Sequence, residues 1–144
     1  MSADLHTIVA ARLHADGQRY TPQRRRLVDI LARAGSPLAL PQVLRGGRGL
    51  AQSSVYRNLV ALERASVVSR VLTEEEFGRY ELAEDLTGHH HHLICANCGT
   101  VEDVTIPAPV EATMRRTMTK LAGETGWSTV GHRLDLIGTC RDCG

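Results

Sequence analysis

Two Cys-x-x-Cys pairs, Cys95/Cys98 and Cys140/Cys143, stand 41 residues apart in a chain of 144. No other feature constrains the fold as tightly. A two-residue spacer lets both sulfurs of a pair reach one ion, and four thiolates are the ligand set of a closed tetrahedral zinc site. Such a site staples the last residues of the chain back beside residue 95. It has no open coordination position, so its role is structural, and zinc held this way contributes on the order of 10 kcal/mol to folding. The alternatives are disulfides or free buried thiols. Disulfides belong to oxidising compartments. The first residues, MSADLHTIVAARLHADG, break their apolar pattern with Asp4, two His and Arg12, unlike a secretory signal. No apolar run approaches a membrane span. A cytoplasmic protein with metal-bound thiolates is the expectation.

Four histidines, His89 to His92, run directly into the first Cys pair. The segment HHHHLIC reads as extended, and side chains of a strand alternate between faces. His90 and His92 then share one face, and His89 and His91 share the other. The run supplies two pairs of ligands to two separate metal sites. The rival reading is a solvated His-rich loop that binds metal weakly. Further ligands must come from elsewhere, and Glu81, Glu102, Asp103, Glu111 and His132 are the candidates.

The charge is divided. Residues 1–70 carry eleven Arg, no Lys and four acids, whereas residues 71–144 carry six basic and twelve acidic side chains. A basic front suits a polyanion, and an acidic back suits cations. Helical spacing recurs through the front. Leu5, Ile8, Val9 and Leu13 form one stripe, ended by Gly17. Thr21 caps a second helix with Pro22 at its first position, and Leu27, Ile30, Leu31 and Ala34 face a core before Gly35 stops it. LPQVLRGG reads as a short third helix. A fourth, QSSVYRNLVALERAS, takes Ser53 as its cap and buries Val55, Leu59 and Leu62. Its other side offers Ser54, Arg57 and Arg64, with Tyr56 near the rim. Two short strands, VVSRVL and GRYEL, follow across an acidic turn.

Helices followed by a hairpin describe a winged helix, whose reading helix enters the major groove while Arg side chains hold phosphates. Docking to a protein is the rival role for this half. The back half orders as strand, strand, helix, strand. Its helix is expected to bury Val110, Met114, Met118 and Leu121, and its closing strand to run through STVGHRLDLIGTC. A small sheet of this kind often lends an edge or face to a dimer.

Together YTPQR, SSVYRNLVALERASVV, RYELAE, HHHHLICANCGTVEDV and HRLDLIGTCRDC resemble the ferric uptake regulator superfamily of metal-dependent bacterial repressors, in order and spacing, over nearly the whole chain. The resemblance implies an α+β homodimer. Each chain would have a winged-helix DNA-binding domain over 1–83, a hinge over 84–88 and a dimerisation and metal-binding domain over 89–144. It implies a structural zinc at Cys95, Cys98, Cys140 and Cys143. It places a sensing site at the hinge on Glu81, His90, His92 and Asp103, and a second site on His89, His91, Glu111 and His132. Arg19, Ser54, Tyr56 and Arg57 match positions that face DNA, Arg19 at the minor groove. The partner would be a double-stranded operator, palindromic and AT-rich.

Leu38 stands where many iron and peroxide sensors of the family place a further hinge histidine. Ser69 and Ala83 stand where actinobacterial zinc sensors place Asp and Cys. Two His and two carboxylates remain, a four-donor set that suits zinc, whereas iron(II) prefers more ligands, which water or Glu102 would supply. Zinc sensing is therefore the first expectation. Iron or peroxide sensing within the family and, in a different class, zinc buffering or delivery are the alternatives. An enzyme is not expected. The deaminase pairing of His-x-Glu with Pro-Cys-x-x-Cys is absent, and so is His-Glu-x-x-His.

Overall fold

The computed structural model describes residues 3–128 and 131–144. The front half packs α1 (Ala3–Ala15), α2 (Pro22–Ala34), α3 (Leu40–Gly46) and α4 (Gln52–Arg64) against a small sheet. Thr21 caps α2 by accepting the Arg24 N–H at 3.3 Å, and Gly35 ends it in the left-handed region at φ 70°. Helix α4 starts earlier than its sequence indicates. Ala51 is the N-cap, with no side-chain cap bond, and Ser53 lies exposed inside the first turn. The Val55 N–H already bonds the Ala51 carbonyl, which aims Val55 and Leu59 at the core.

The core is aliphatic. Val9, Leu13, Leu27, Val28, Val43, Val55, Leu59, Leu62 and Val67 are almost wholly buried around Tyr80. Each contributes about 1.5–3 kcal/mol by leaving water. Ile8 departs from its expected stripe, being 42% exposed. The wing is a three-stranded antiparallel sheet, order β1-β3-β2, from β1 (Leu38–Ala39), β2 (Val68–Val71) and β3 (Arg79–Leu82). Strand β1 is two residues long, too short for any periodicity to reveal.

A four-residue helix, α5 (Glu84–Thr87), occupies the expected hinge. Beyond it, β4 (His91–Cys95) lies between β5 (Val101–Val104), antiparallel, and β6 (Asp135–Gly138), parallel. Helix α6 (Ala108–Glu124) makes the crossover. The first part of the expected closing strand includes residues 129 and 130, which lie outside the described residues. The expected core stripe of α6 is corrected. Val110, Met118 and Leu121 are 48%, 38% and 50% exposed, Met114 is half-buried, and the helix buries only Glu111 and Ala122. The outer face of the sheet is also apolar and exposed, at Leu93, Leu136 and Ile137. Among the described residues of one chain, both surfaces stay largely uncovered.

The halves touch through a small apolar cluster, Val71 of the wing with Ile94 and Val101 of the second sheet. Arg12 of α1 adds a bridge, donating to the Ser66 carbonyl at 2.6 Å and pairing with Asp85 of α5. Among the described residues no helix is long and apolar enough to cross a membrane.

Candidate metal centres

Among the described residues, three clusters of His, Cys and carboxylate groups each bring four ligand atoms within 4.8 Å of one another. Cys95, Cys98, Cys140 and Cys143 form the first. Each pair sits in a tight knuckle: Gly99 N–H bonds the Cys95 carbonyl, and Gly144 N–H bonds the Cys140 carbonyl. Gly99 makes its turn at φ 77°, and a side chain there would press on Glu75 of the wing. The Cys98 and Cys140 sulfurs are 3.7 Å apart. A tetrahedron with zinc–sulfur arms of about 2.3 Å has edges of about 3.8 Å, so the spacing fits. The backbone N–H groups of Cys98 and Cys140 both point at the Cys95 sulfur and pull that thiol down to about 6. The Thr100 hydroxyl lowers Cys98, whereas contact with Cys143 pushes Cys140 up to about 11. Four thiols this close cannot all ionise without a cation among them.

The second cluster spans the two halves. Strand β3 carries Glu81, while His90 and His92 flank the start of β4 and Asp103 lies on β5. His90 Nε2 is 3.0 Å from one Glu81 oxygen, and His92 Nε2 is 2.9 Å from the other. Asp103 Oδ1 lies 3.8 and 3.7 Å from the same two nitrogens. His90 donates Nδ1–H to the Gly88 carbonyl, which leaves Nε2 to face the carboxylates. Burial lowers the His90 pKa, but the Gly88 carbonyl and Glu81 outweigh it, so His90 is raised. Glu81 raises His92 in the same way, against burial, with help from Asp135. Burial of Glu81 is in turn outweighed by the two imidazoles, and its pKa is lowered. Asp103 is raised, mainly by burial. A divalent cation is suited to the position between these facing nitrogens and carboxylates.

Asp103 and Glu102 are neighbours on β5 and point to opposite faces. Glu102 pairs in register with Leu93 and lines the apolar outer face, so it does not complete the hinge set. Leu38 packs against the core of the front half. Ser69 and Ala83 line the cavity of about 460 Å³ that contains Glu81, His90 and His92. Neither adds a carboxylate or a thiol.

The third cluster lies within the second half. Glu111 sits in the first turn of α6, where the helix dipole favours its charge. Its oxygens meet His89 Nε2 at 2.6 Å, His91 Nε2 at 2.9 Å and His132 Nε2 at 2.5 Å. His91 and, against burial, His89 hold its pKa down at about 2. His89 and His91 thus face away from His90 and His92. Two carboxylates escaped sequence reasoning. Glu84 meets His89 Nδ1 at 2.5 Å, and Asp135 meets His92 Nδ1 at 3.1 Å. Neither belongs to a recognisable spacing, because strand pairing and α5 bring them there.

The proposed DNA-facing residues cluster on the front half. Arg19 and Arg57 are exposed, and Ser54 and Tyr56 are half-buried on α4. Tyr56 leans on Phe77 of the wing, ring centres 5.2 Å apart. Arg24 ties the loop to α4 by donating to the Arg19 carbonyl at 2.7 Å and to Asn58 at 2.9 Å. His6 links Asp29 to Tyr20 beside that loop, and burial pushes Tyr20 up to about 12. Arg64 pairs with Asp16 at 3.5 Å, so that charge has a partner within the chain.

A winged helix joined through a shared ligand cluster to a thiolate-stapled sheet defines a class, transcription regulators that respond to metal. The sequence model of the Ferric uptake regulator family matches residues 15–137. The Ferric uptake regulation protein of Campylobacter jejuni is 31% identical over 137 residues, covering 91% of this chain and 83% of that protein. The Peroxide operon regulator of Bacillus subtilis is 26% identical over 136 residues, covering 91% and 88%. The Helicobacter pylori ferric uptake regulator shares the fold, with a TM-score of 0.73 at 24% identity over 96% of this chain and 93% of that one. The structural report on that protein describes three functional metal binding sites. The chain belongs to the ferric uptake regulator family, whose members are metal-responsive transcription regulators rather than enzymes.

Proposed function

We propose that this protein is a cytoplasmic, homodimeric repressor of metal-homeostasis genes that senses zinc at the hinge cluster. The carrying observation is the division of that cluster. Glu81 belongs to the wing, and His90, His92 and Asp103 belong to the second half. Ligation of one ion by all four residues sets the angle between the reading helix and the dimer. The proposed boundaries are 1–83 for DNA binding, 84–88 for the hinge and 89–144 for dimerisation and metal. A divalent ion supplies there the positive charge that balances the two carboxylates. The four thiols hold a structural zinc, and His89, His91, Glu111 and His132 hold a second ion that clamps α6 to the sheet. The uncovered apolar faces of α6 and β6 supply the dimer surface.

Two-fold symmetry in the protein calls for a palindromic operator. Arg19 favours narrow, AT-rich minor grooves. Arg57→Ala is expected to weaken operator binding by about 1–3 kcal/mol if Arg57 reads a base edge, or to reduce the salt slope by about 1 if it holds a phosphate. Fluorescence anisotropy at several salt concentrations separates the two, and unchanged binding removes Arg57 from the interface.

Donor number favours zinc, while the named relatives favour an iron or peroxide sensor. Titration of the purified dimer with zinc, iron(II) and manganese under nitrogen, followed by operator binding, decides between them. Equal DNA binding with and without every metal would instead favour the zinc buffer.

A pH dependence follows. Metal binding requires neutral His90 and His92, and both pKa values are raised above the ordinary value near 6.5. Hinge affinity is therefore expected to fall as pH drops through the raised values, by up to about 100-fold per pH unit when two protons are displaced. The metal-free protein behaves oppositely. Its imidazolium–Glu81 pairs stabilise it fully below the unfolded histidine pKa, and that contribution is lost as pH rises through the raised one. Competition titrations and urea melts across this range check both signs.

A further inference from the structure

We propose that Asp135 is a positioning residue for hinge-site metal binding, fixing the ring of His92 so that Nε2 faces the ion. The proposal rests on the hinge reading above. A neutral imidazole carries one N–H, and the partner of one nitrogen decides which nitrogen is free to ligate. Asp135 Oδ1 lies 3.1 Å from His92 Nδ1, and a carboxylate accepts an N–H but repels a lone pair. With an ion on Nε2, the one proton of neutral His92 sits on Nδ1 and is accepted by Asp135, while Nε2 faces the side of Glu81 Oε1, 2.9 Å away. Asp135 does not share the ion itself, because it meets the opposite edge of the ring.

The placement is built by the sheet. His92 and Asp135 are register partners in the parallel pairing of β4 with β6, and the His92 N–H bonds the Leu134 carbonyl. His90 obtains the same orientation from the Gly88 carbonyl, which no side-chain change removes. Of the two hinge histidines, His92 is the one whose Nδ1 meets a side chain. That side chain lies between His132 of the third cluster and Cys140 of the thiol cluster on one continuous segment. The strand that docks through those two clusters thereby delivers the carboxylate that orients the sensing histidine.

The test compares wild type, Asp135→Val and Asp135→Asn as full-length, zinc-loaded dimers. Valine suits a strand and offers no acceptor, and asparagine keeps one acceptor oxygen. Cobalt(II) affinity is measured by chelator competition, with His90→Ala as the baseline of a disabled hinge. Imidazole nitrogen shifts are read by NMR with zinc at the hinge, because without metal Glu81 competes with Asp135 for the His92 proton. Asp135→Val is expected to lose about 10–100-fold in cobalt affinity. It is also expected to lose the Nδ1–H signature of His92 while keeping zinc on the thiols. Asp135→Asn should fall between. A valine variant with wild-type affinity and an unchanged tautomer overturns the proposal. If that variant does not fold, Asp135→Ala gives the same reading. Equal cobalt uptake by wild type and His90→Ala would overturn the hinge reading itself, a separate result.

Discussion

Cys98→Ser is expected to strip the structural zinc and to unfold residues beyond the hinge, while α1 to α4 keep their helical signal. The reason lies in how little else holds the second half. Its buried apolar contacts are few: Ile94 and Val101 meet Val71, and Ala122 is the one buried apolar side chain of α6. Zinc held by four thiolates contributes on the order of 10 kcal/mol, comparable to the whole stability of an ordinary domain. The serine variant should therefore contain less zinc, sediment as a monomer and lose the cooperative unfolding of the sheet. Metal analysis, sedimentation and thermal circular dichroism measure these three properties. A stable, metal-responsive Cys98→Ser dimer would sink the structural role of this cluster.

His90→Ala is expected to do the reverse, leaving the fold intact and abolishing metal-dependent operator binding. His90 is one of only two nitrogen donors in the hinge set, and its Nε2 is held at 3.0 Å from Glu81. Without it, Glu81 and Asp103 retain a single histidine. A metal controls a domain equilibrium only through its differential affinity for the two arrangements, so losing hinge affinity removes the control. By the same linkage, operator DNA should raise hinge affinity in the wild type by the factor with which metal raises DNA affinity. The variant should show neither effect, while its thiol-bound zinc and melting remain those of the wild type. Operator binding by mobility shift, with and without metal, reads the outcome. Unchanged metal-dependent binding would remove His90 from the sensing role.

The two substitutions are expected to separate because different roles are proposed for the two clusters, and the grouping of their residues was partly legible beforehand. The Cys pairs announced four sulfurs, and the two-residue period of a strand divided the histidines into His90 with His92 and His89 with His91. Thr21 and Gly35 marked the ends of α2. All of these are properties of spacing and of local backbone geometry, which a sequence carries directly. Other features required the assembled chain. Spacing left Glu102 and Asp103 as equal candidates, and only the pairing of β5 with β4 turned one outward to Leu93 and the other to the histidines. The stripe on α6 read as core, yet in one chain it stays exposed, because periodicity shows that a face is apolar and not what covers it. Asp135 and Glu84 carry no motif. Their meeting with His92 and His89 depends on the register of a parallel strand pair and on a single turn of helix. By itself the sequence determined which donor atoms exist and which face of its own element each one occupies. Tertiary structure decided which distant donors meet, because convergence depends on strand order and docking rather than on any period along the chain.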